Sequence, residues 1–250
     1  MAKCGVTILG STGSIGQSTL NVIQQHPEHF EVVALSAYHS VDILFEQCCY
    51  FKPAFAVMVQ PDAARLLKTR IETQGLSTQV LSGEEGLCFI AKLENVTKVV
   101  AAIVGAAGLL STLSAVEMGK QVLIANKEPL VMAGDLLISK AQETGAVLLP
   151  IDSEHNALFQ CMPNHYLTGK RPEGVHRLIL TASGGPFLHA DKEAFSTITP
   201  EMACQHPNWK MGKKVTVDSA TLMNKGLEDP RYADPHYPLF ELATTFNLRG

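Results

Sequence analysis

The sequence lacks the features that mark several classes of protein. Only 18% of its 250 residues are charged, and the formal net charge is −4. No basic run is present that could follow a chain of phosphates, so we expect no nucleic-acid partner. The longest apolar stretch, residues 99–110, is too short to cross a bilayer and is interrupted by glycines. We therefore expect no membrane partner either.

Signals for cysteine pairing are also missing. The six cysteines are scattered and include no C-x-x-C pair, so neither a zinc knuckle nor a disulfide framework is indicated. The first ten residues, MAKCGVTILG, lead directly into a strand-like pattern instead of a secretory signal. We expect buried thiols in a reducing cytoplasm.

What the sequence does contain, from residue 5 to about 151, is an alternation of short β-branched runs with stretches of helical periodicity. This alternation is typical of βαβ units around a parallel sheet. The predicted strands are 6–9, 31–35, 55–59, 98–104, 122–125 and 147–151. The predicted helices are 15–25, 62–73, 109–118 and 129–144. The pattern predicts an α/β fold with a Rossmann-like parallel-sheet domain over residues 1–150.

The pattern changes after residue 150. A helix-like SEHNALFQCM and a strand-like HRLILTA are followed by loops rich in glycine, proline, lysine and histidine. We therefore predict a second domain over residues 151–228. The segment 229–250 carries three prolines and no sustained period, so we assign it no structure.

A glycine-rich segment, GSTGSIG, ends the first predicted strand and places Gly10, Gly13 and Gly16 just before a helix. Glycines there permit a tight turn and the close approach of a pyrophosphate, whose charge the free N–H groups of the helix start would meet. Glycine also punctuates many turns that bind nothing. The position of this segment in the first βαβ unit favours nucleotide binding.

The end of the second predicted strand bears on the choice of cofactor. NAD enzymes usually carry an acid there for the ribose hydroxyls, but this sequence has no carboxylate before Asp42. The omission favours NADPH, because a carboxylate would repel the 2′-phosphate, to which His39 and Ser40 could donate. The alternative is an ordinary loop.

Two carboxylates follow the last predicted strand, in AVLLPIDSEHN. In an extended backbone, Asp152 and Glu154 project to the same side. Converging carboxylates favour a hard cation such as Mg²⁺ or Mn²⁺ over zinc. A helix cap, in which Asp152 or Ser153 bonds a backbone N–H, is an equally good interpretation.

Two later segments, TASGGPF and VDSATLMNKGLE, combine hydroxyl groups with glycine. The second brings Ser219, Asn224, Lys225 and Glu228 within ten residues, a set that can form a phosphate site but is also common in turns. Between them, HPNWKMG places Trp209 in a loop that could close over a ligand. A core anchor is the alternative for this tryptophan.

With these segments in order, the chain resembles the 1-deoxy-D-xylulose 5-phosphate reductoisomerase family through Glu228. The matching motifs are GSTGSIG, ANKEPLV, PIDSEHNA, TASGGPF, HPNWKMGKK and VDSATLMNKGLE. The resemblance implies an oxidoreductase and isomerase that rearranges this sugar phosphate and reduces it with NADPH to 2-C-methyl-D-erythritol 4-phosphate, in the non-mevalonate route to isoprenoids and terpenoids. It also implies that residues 1–150 bind NADPH and that 151–228 form an incomplete α+β catalytic domain. A homodimer is left open.

The resemblance also implies roles for individual residues. The implied NADPH contacts, beside the loop residues Gly10 and Gly16, are Thr12, Gly13, Ser14, Ile15, Asn126, Glu128 and Gly212. The implied ligands of Mn²⁺, Mg²⁺ or Co²⁺ are Asp152, Glu154 and Glu228. The implied substrate contacts are Lys127, Ser153, Glu154, Ser183, His206, Trp209, Ser219, Asn224, Lys225 and Glu228. The implied catalytic residues are Lys127 and the three metal ligands.

The sequence departs from the family pattern in two places. Tyr38, His39 and Ser40 stand where the family usually has a Gly-Lys-Asn-like segment, so the lysine that would grip the 2′-phosphate is missing. The divergent segment 229–250 does not match either, so we expect a truncated or altered form that binds NADPH but turns over its substrate very slowly or not at all. Two alternatives remain: a metal-independent NADP-dependent dehydrogenase of the semialdehyde or homoserine type, and a catalytically inactive dinucleotide-binding fragment.

Overall fold

The computed structural model describes residues 3–163, 174–177, 179–209 and 211–228. The chain divides into two compact units, Met1–Asp152 and Ser153–Gly250. The predicted tail, 229–250, lies outside the described residues.

The first unit alternates strands and helices along the chain. Its strands are Cys4–Leu9 (β1), Phe30–Ala37 (β2), Phe55–Met58 (β3), Gln79–Ser82 (β4), Lys98–Ala101 (β5), Gln121–Ile124 (β6) and Val147–Pro150 (β7). Its α-helices are Ser14–Gln25 (α1), Val41–Phe51 (α2), Pro61–Thr73 (α3), Gly83–Ala91 (α4), Leu109–Glu117 (α5) and Glu128–Thr144 (α6), with a 3₁₀ helix at Gly105–Gly108. The predicted α/β fold is confirmed, although α2, β4 and α4 were not predicted.

The seven strands form one sheet in the order β4-β3-β2-β1-β5-β6-β7, and every pairing is parallel. The strand order reverses between β1 and β5. Ligands of open α/β sheets bind in the crevice at such a reversal, beyond the carboxyl ends of the strands. The glycine loop after β1 lies at this point.

Both faces of the sheet are covered by helices, which explains why the central strands β1, β2, β3 and β5 are mostly apolar and buried. Successive strand residues point to opposite faces. Leu9 accordingly belongs to a core formed with α4, α5 and α6, whereas its neighbour Ile8 belongs to a core formed with α1, α2 and α3. Strands buried on both faces are expected in a parallel sheet.

The described part of the second unit is helical. Its α-helices are Ser153–Cys161 (α7), Pro200–Ala203 (α8), Lys213–Ala220 (α9) and Met223–Glu228 (α10), with a 3₁₀ helix at Lys192–Thr197. The prediction of a helix in SEHNALFQCM is confirmed. The predicted strand in HRLILTA is wrong over residues 176–177 and 179–182. A strand needs a paired neighbour for its backbone N–H and C=O groups, and none is present among the described residues of this unit.

None of the helices in the described ranges combines the length and the apolar composition needed to cross a bilayer.

Candidate functional site

The glycine loop has two positions that only glycine fits and one that is open. Gly10 has φ of +85°, and a Cβ there would lie 2.8 Å from the carbonyl oxygen of Ala102. A Cβ at Gly16 would lie 2.5 Å from the carbonyl oxygen of Gly10. At Gly13, by contrast, a Cβ would meet only the Gly10 oxygen, at 3.5 Å. The fold therefore requires the outer glycines, while the middle one leaves space at the helix start.

Helix α1 begins beside that space with its first N–H groups available. No side chain caps the helix at Gly13, and its first turn contains no acidic residue. Gly13, Ser14 and Ile15 are exposed, and Thr12 is partly exposed. An uncapped helix start with nearby hydroxyl groups can hold a phosphate or pyrophosphate.

The segment after β2 presents neutral groups. Tyr38 and His39 are exposed, and their rings meet edge to face with centroids 5.7 Å apart. The first carboxylate, Asp42, is paired with Arg70, whose guanidinium also lies 4.2 Å above the ring of Phe45. This arrangement leaves no unpaired carboxylate in the segment to repel a 2′-phosphate.

Three predicted site residues follow β6. The side-chain amide of Asn126 donates to the carbonyl oxygens of Ile103 (2.7 Å) and Gly105 (2.9 Å), so it joins the loops that follow β5 and β6. Lys127 is almost buried, at 8% exposure, and its Nζ lies 3.3 Å from Oδ2 of Asp152. Glu128 is the first residue of α6. Lys127 is therefore directed towards the predicted metal ligand Asp152.

The three predicted metal ligands lie close together. Asp152, Glu154 and Glu228 each offer a carboxylate oxygen, and these oxygens lie within 4.8 Å of one another. Oδ1 of Asp152 is buried and has no hydrogen-bond partner among the described residues. A buried oxygen without a partner is costly, and an all-oxygen set suits a hard cation. The geometry thus fits a divalent metal.

Lys225 lies between two of these carboxylates. Its Nζ is 3.0 Å from Oε1 of Glu154 and 2.5 Å from Oε2 of Glu228, and Asn224 donates to Oε1 of Glu228 at 2.6 Å. Burial raises the pKa of Glu154, but hydrogen bonds from Ser153 and Lys225 outweigh it and lower the pKa to about 2. Glu154 is therefore ionised at neutral pH, as a metal ligand must be.

A second group of donors is formed by two serines and a histidine. The Oγ atom of Ser183 lies 3.0 Å from Nε2 of His206 and 3.2 Å from Oγ of Ser219. Nδ1 of His206 accepts hydrogen bonds from the backbone N–H groups of Asn208 and Trp209. Because Nδ1 is an acceptor, the ring hydrogen lies on Nε2, which donates to Ser183. These groups can offer hydrogen bonds to an oxyanion.

Two further predicted residues are found on this unit. The side chain of Trp209 is 57% exposed, so the interpretation as a core anchor is wrong. Gly212 is the N-cap residue of α9, and a Cβ there would meet nothing within 4 Å. Both residues are accessible to a ligand.

Two polar residues that the sequence did not single out support the glycine loop. Ser36 accepts a hydrogen bond from the backbone N–H of Gly10, and Gln47 bonds both the hydroxyl and the carbonyl of Ser11. These contacts span 26 and 36 residues. Neither residue lies in a motif, so no local sequence signal marks them.

The sequence of the chain matches one family of known proteins along most of its length. The family model of 1-deoxy-D-xylulose 5-phosphate reductoisomerase matches residues 6–134, and that of its C-terminal domain matches 148–230. The reductoisomerase of Methylococcus capsulatus is 57% identical over 225 residues, which cover 90% of this chain and 57% of the relative. That of Pseudomonas putida is 55% identical over 223 residues, which cover 89% and 56%.

Solved structures agree. A crystal structure of DOX-P reductoisomerase in complex with NADPH, fosmidomycin and magnesium has a TM-score of 0.83 and 47% identity, covering 90% of this chain and 56% of that one. The Zymomonas mobilis enzyme in complex with NADPH has a TM-score of 0.80 and 43% identity, covering 91% and 56%. The chain spans a little over half the length of these relatives. On both sequence and structure, the chain belongs to the 1-deoxy-D-xylulose 5-phosphate reductoisomerase family.

Proposed function

We propose that the chain carries the activity of its family: the NADPH-dependent, metal-requiring rearrangement of 1-deoxy-D-xylulose 5-phosphate and its reduction to 2-C-methyl-D-erythritol 4-phosphate. The observation that carries the proposal is the group of three carboxylates formed by Asp152, Glu154 and Glu228. A metal-independent dehydrogenase has no need of such a group. The identity of the substrate in this proposal is taken from the family to which the chain belongs.

The first unit binds NADPH in this proposal. The uncapped start of α1 and the open position at Gly13 suit a pyrophosphate. The pairing of Asp42 with Arg70 removes the nearest carboxylate from competition with a 2′-phosphate, and His39 and Ser40 supply donors in place of the family's lysine. Related structures bind NADPH.

A divalent metal is held by Asp152, Glu154 and Glu228. Oxygen donors favour Mg²⁺, Mn²⁺ or Co²⁺, and a related structure contains magnesium. Such an ion, when bound, polarises a substrate carbonyl and stabilises the negative charge that develops on oxygen during the rearrangement. The metal ion accounts for Oδ1 of Asp152, which is buried and has no hydrogen-bond partner among the described residues.

The chain's own side chains hold and polarise the substrate. Ser183, His206 and Ser219 donate hydrogen bonds to the substrate phosphate, and Lys225 adds positive charge. Lys127, held beside Asp152, stabilises negative charge on a reacting oxygen. The exposed ring of Trp209 covers the substrate and excludes water.

We extend the proposal to the cellular setting. All six cysteines are free thiols, which is the state expected in a reducing cytoplasm. A homodimer is proposed from the resemblance alone, and light scattering after size-exclusion chromatography measures it.

A coupled binding and turnover experiment tests the function. The purified chain is incubated with NADPH, 1-deoxy-D-xylulose 5-phosphate and Mn²⁺, and loss of NADPH absorbance is followed while the product is identified by mass spectrometry. We expect NADPH binding and, in line with the divergent segment 229–250, at most slow oxidation, which depends on the sugar phosphate and stops on chelation of the metal. Turnover that persists in the chelator would identify a metal-independent dehydrogenase. Tight NADPH binding with no turnover would identify a catalytically inactive dinucleotide-binding protein.

A further inference from the structure

A buried glutamine fastens the glycine loop from the neighbouring helix. Gln47 lies on α2 and is 9% exposed. Its Oε1 lies 2.6 Å from the hydroxyl oxygen of Ser11, and its Nε2 donates to the backbone carbonyl of Ser11 at 3.0 Å. One side chain therefore engages both the hydroxyl and the peptide group of the second loop residue.

Strand β2 also holds this loop. The backbone N–H of Ser11 donates to the carbonyl of Ser36 at 2.8 Å, and that of Gly10 donates to the Ser36 hydroxyl at 2.9 Å. The loop then closes with a bond of 3.2 Å from the N–H of Gly13 to the carbonyl of Gly10. The two peptide groups that precede the open helix start are thus fixed by buried partners.

The hydrogen bonds to Ser11 require one donor and one acceptor on the side chain at position 47, which glutamine provides. The carbonyl of Ser11 can only accept, so the NH₂ group of Gln47 must face it, and the Oε1 atom then accepts from the hydroxyl. A methionine of similar size offers neither bond and leaves the buried carbonyl of Ser11 without its side-chain donor. A glutamate lacks the donor and adds negative charge behind an anion site.

We infer that Gln47 is a positioning residue that fixes the glycine loop in the conformation that receives the pyrophosphate of the dinucleotide. The inference rests on the proposed binding of NADPH. Gln47 acts through Ser11 and does not itself touch the cofactor. Its loss lets the loop leave the geometry in which successive N–H groups converge on one anion.

The test compares buried side-chain hydrogen bonds to the glycine loop with one that lies outside it. Gln47→Met removes the bonds to the loop. The matched control, Thr78→Val, removes the buried bond from the Thr78 hydroxyl to the carbonyl of Pro53, 2.7 Å long and outside the loop. Melting temperatures are measured by circular dichroism and NADPH affinity by fluorescence titration of the full chain. We expect both variants to melt below the parent. NADPH affinity should fall about tenfold or more in Gln47→Met and stay within about twofold of the parent in Thr78→Val.

Each result has a separate consequence. If the parent chain does not bind NADPH, the proposed function fails before the inference is tested. If the parent binds and Gln47→Met binds equally well, or if both variants lose the same affinity, the positioning role is overturned. Should Gln47→Met not fold, Gln47→Asn keeps a neutral amide that is one methylene too short to make both bonds to Ser11, and the same comparison with Thr78→Val decides.

Discussion

The indole of Trp209 lies parallel to the imidazole of His206, with ring centroids 5.0 Å apart and planes 9° apart. The same imidazole accepts the backbone N–H of Trp209 at Nδ1, 3.1 Å away, so a turn holds one edge of the ring and an indole covers one face. The remaining nitrogen, Nε2, is directed at the hydroxyl of Ser183. The stack fixes the direction of a donor that we assign to the substrate phosphate.

Removal of this indole should weaken substrate binding with little effect on stability. In Trp209→Ala the substrate loses the aromatic cover that we propose for it, and a contact of this kind, worth about 0.5–1.5 kcal/mol, corresponds to roughly a two- to twelvefold loss of affinity for 1-deoxy-D-xylulose 5-phosphate. The affinity for NADPH should not change. Calorimetric titration measures both. Trp209→Phe should keep most of the affinity, and Phe195→Ala, at another exposed aromatic residue, should keep all of it. Equal losses in Trp209→Ala and Phe195→Ala would show that the stack has no specific role.

The middle and the last glycine of the loop, Gly13 and Gly16, should separate binding from folding. Gly13 has φ of −76° and open space, so Gly13→Ala should fold like the parent yet bind NADPH at least about tenfold more weakly, because its methyl group occupies the place of the pyrophosphate. In Gly16→Ala the methyl group would overlap backbone atoms, which should destabilise the fold by about 1–3 kcal/mol. Urea unfolding and NADPH titration measure the two effects. Unchanged NADPH affinity in Gly13→Ala would remove the pyrophosphate from this loop.

The buried thiol beside Gln47 should be inert and should reduce stability at high pH. Burial, and to a lesser degree Cys49, raises the pKa of Cys48 from 9.0 to about 12. Between pH 9 and 12 the unfolded thiol ionises while the folded one keeps its proton, so stability falls by up to about 1.4 kcal/mol per pH unit.

Comparison of Cys48→Ala with the parent isolates the contribution of this thiol to the pH dependence of stability. The free energy of unfolding should decline less steeply above pH 9 in Cys48→Ala than in the parent. At pH 8 a thiol reagent should label the exposed Cys161 quickly and Cys48 only on unfolding, as mapped by mass spectrometry. Rapid labelling of Cys48 in the native protein would contradict the burial of this side chain.

The alternation of strands and helices could be predicted where the elements are long or strongly apolar, but three elements of the first unit were missed. Helix α2 ends at Lys52 in a left-handed conformation without the glycine that usually marks such an end. Strand β4 has only four residues, lies at the edge of the sheet and is not buried, so no apolar run reveals it. Helix α4 begins directly after β4, at Gly83, so no loop separates the two elements in the sequence, and α4 was not predicted either.

Site residues that are close in the sequence could be predicted to lie together, whereas those far apart could not. The sequence predicts that Asp152 and Glu154 lie together because they are two residues apart, but the extended backbone assumed for them is wrong: β7 ends at Pro150, and Glu154 lies in α7, which begins at Ser153. Glu228, 74 residues further along, could be added only through the family resemblance, because local spacing carries no information on such a contact. The support from Gln47 was missed entirely, since a buried amide on a helix has no pattern of its own.

The carboxylate of Asp152 should be essential for metal binding. Asp152→Asn keeps the size of the side chain but replaces a carboxylate whose Oδ1 is buried without a partner among the described residues. Loss of a direct ligand should cost more than the 10- to 100-fold typical of outer-shell changes, so we expect Mn²⁺ affinity, measured by electron paramagnetic resonance titration, to fall at least about a hundredfold. Asp135→Asn makes the same change of charge on the exposed side of α6 and should bind Mn²⁺ like the parent. Circular dichroism should show that both variants fold. If both variants bind Mn²⁺ equally well, the three carboxylates do not form a metal site, and Asp152 serves instead as the structural partner of Lys127.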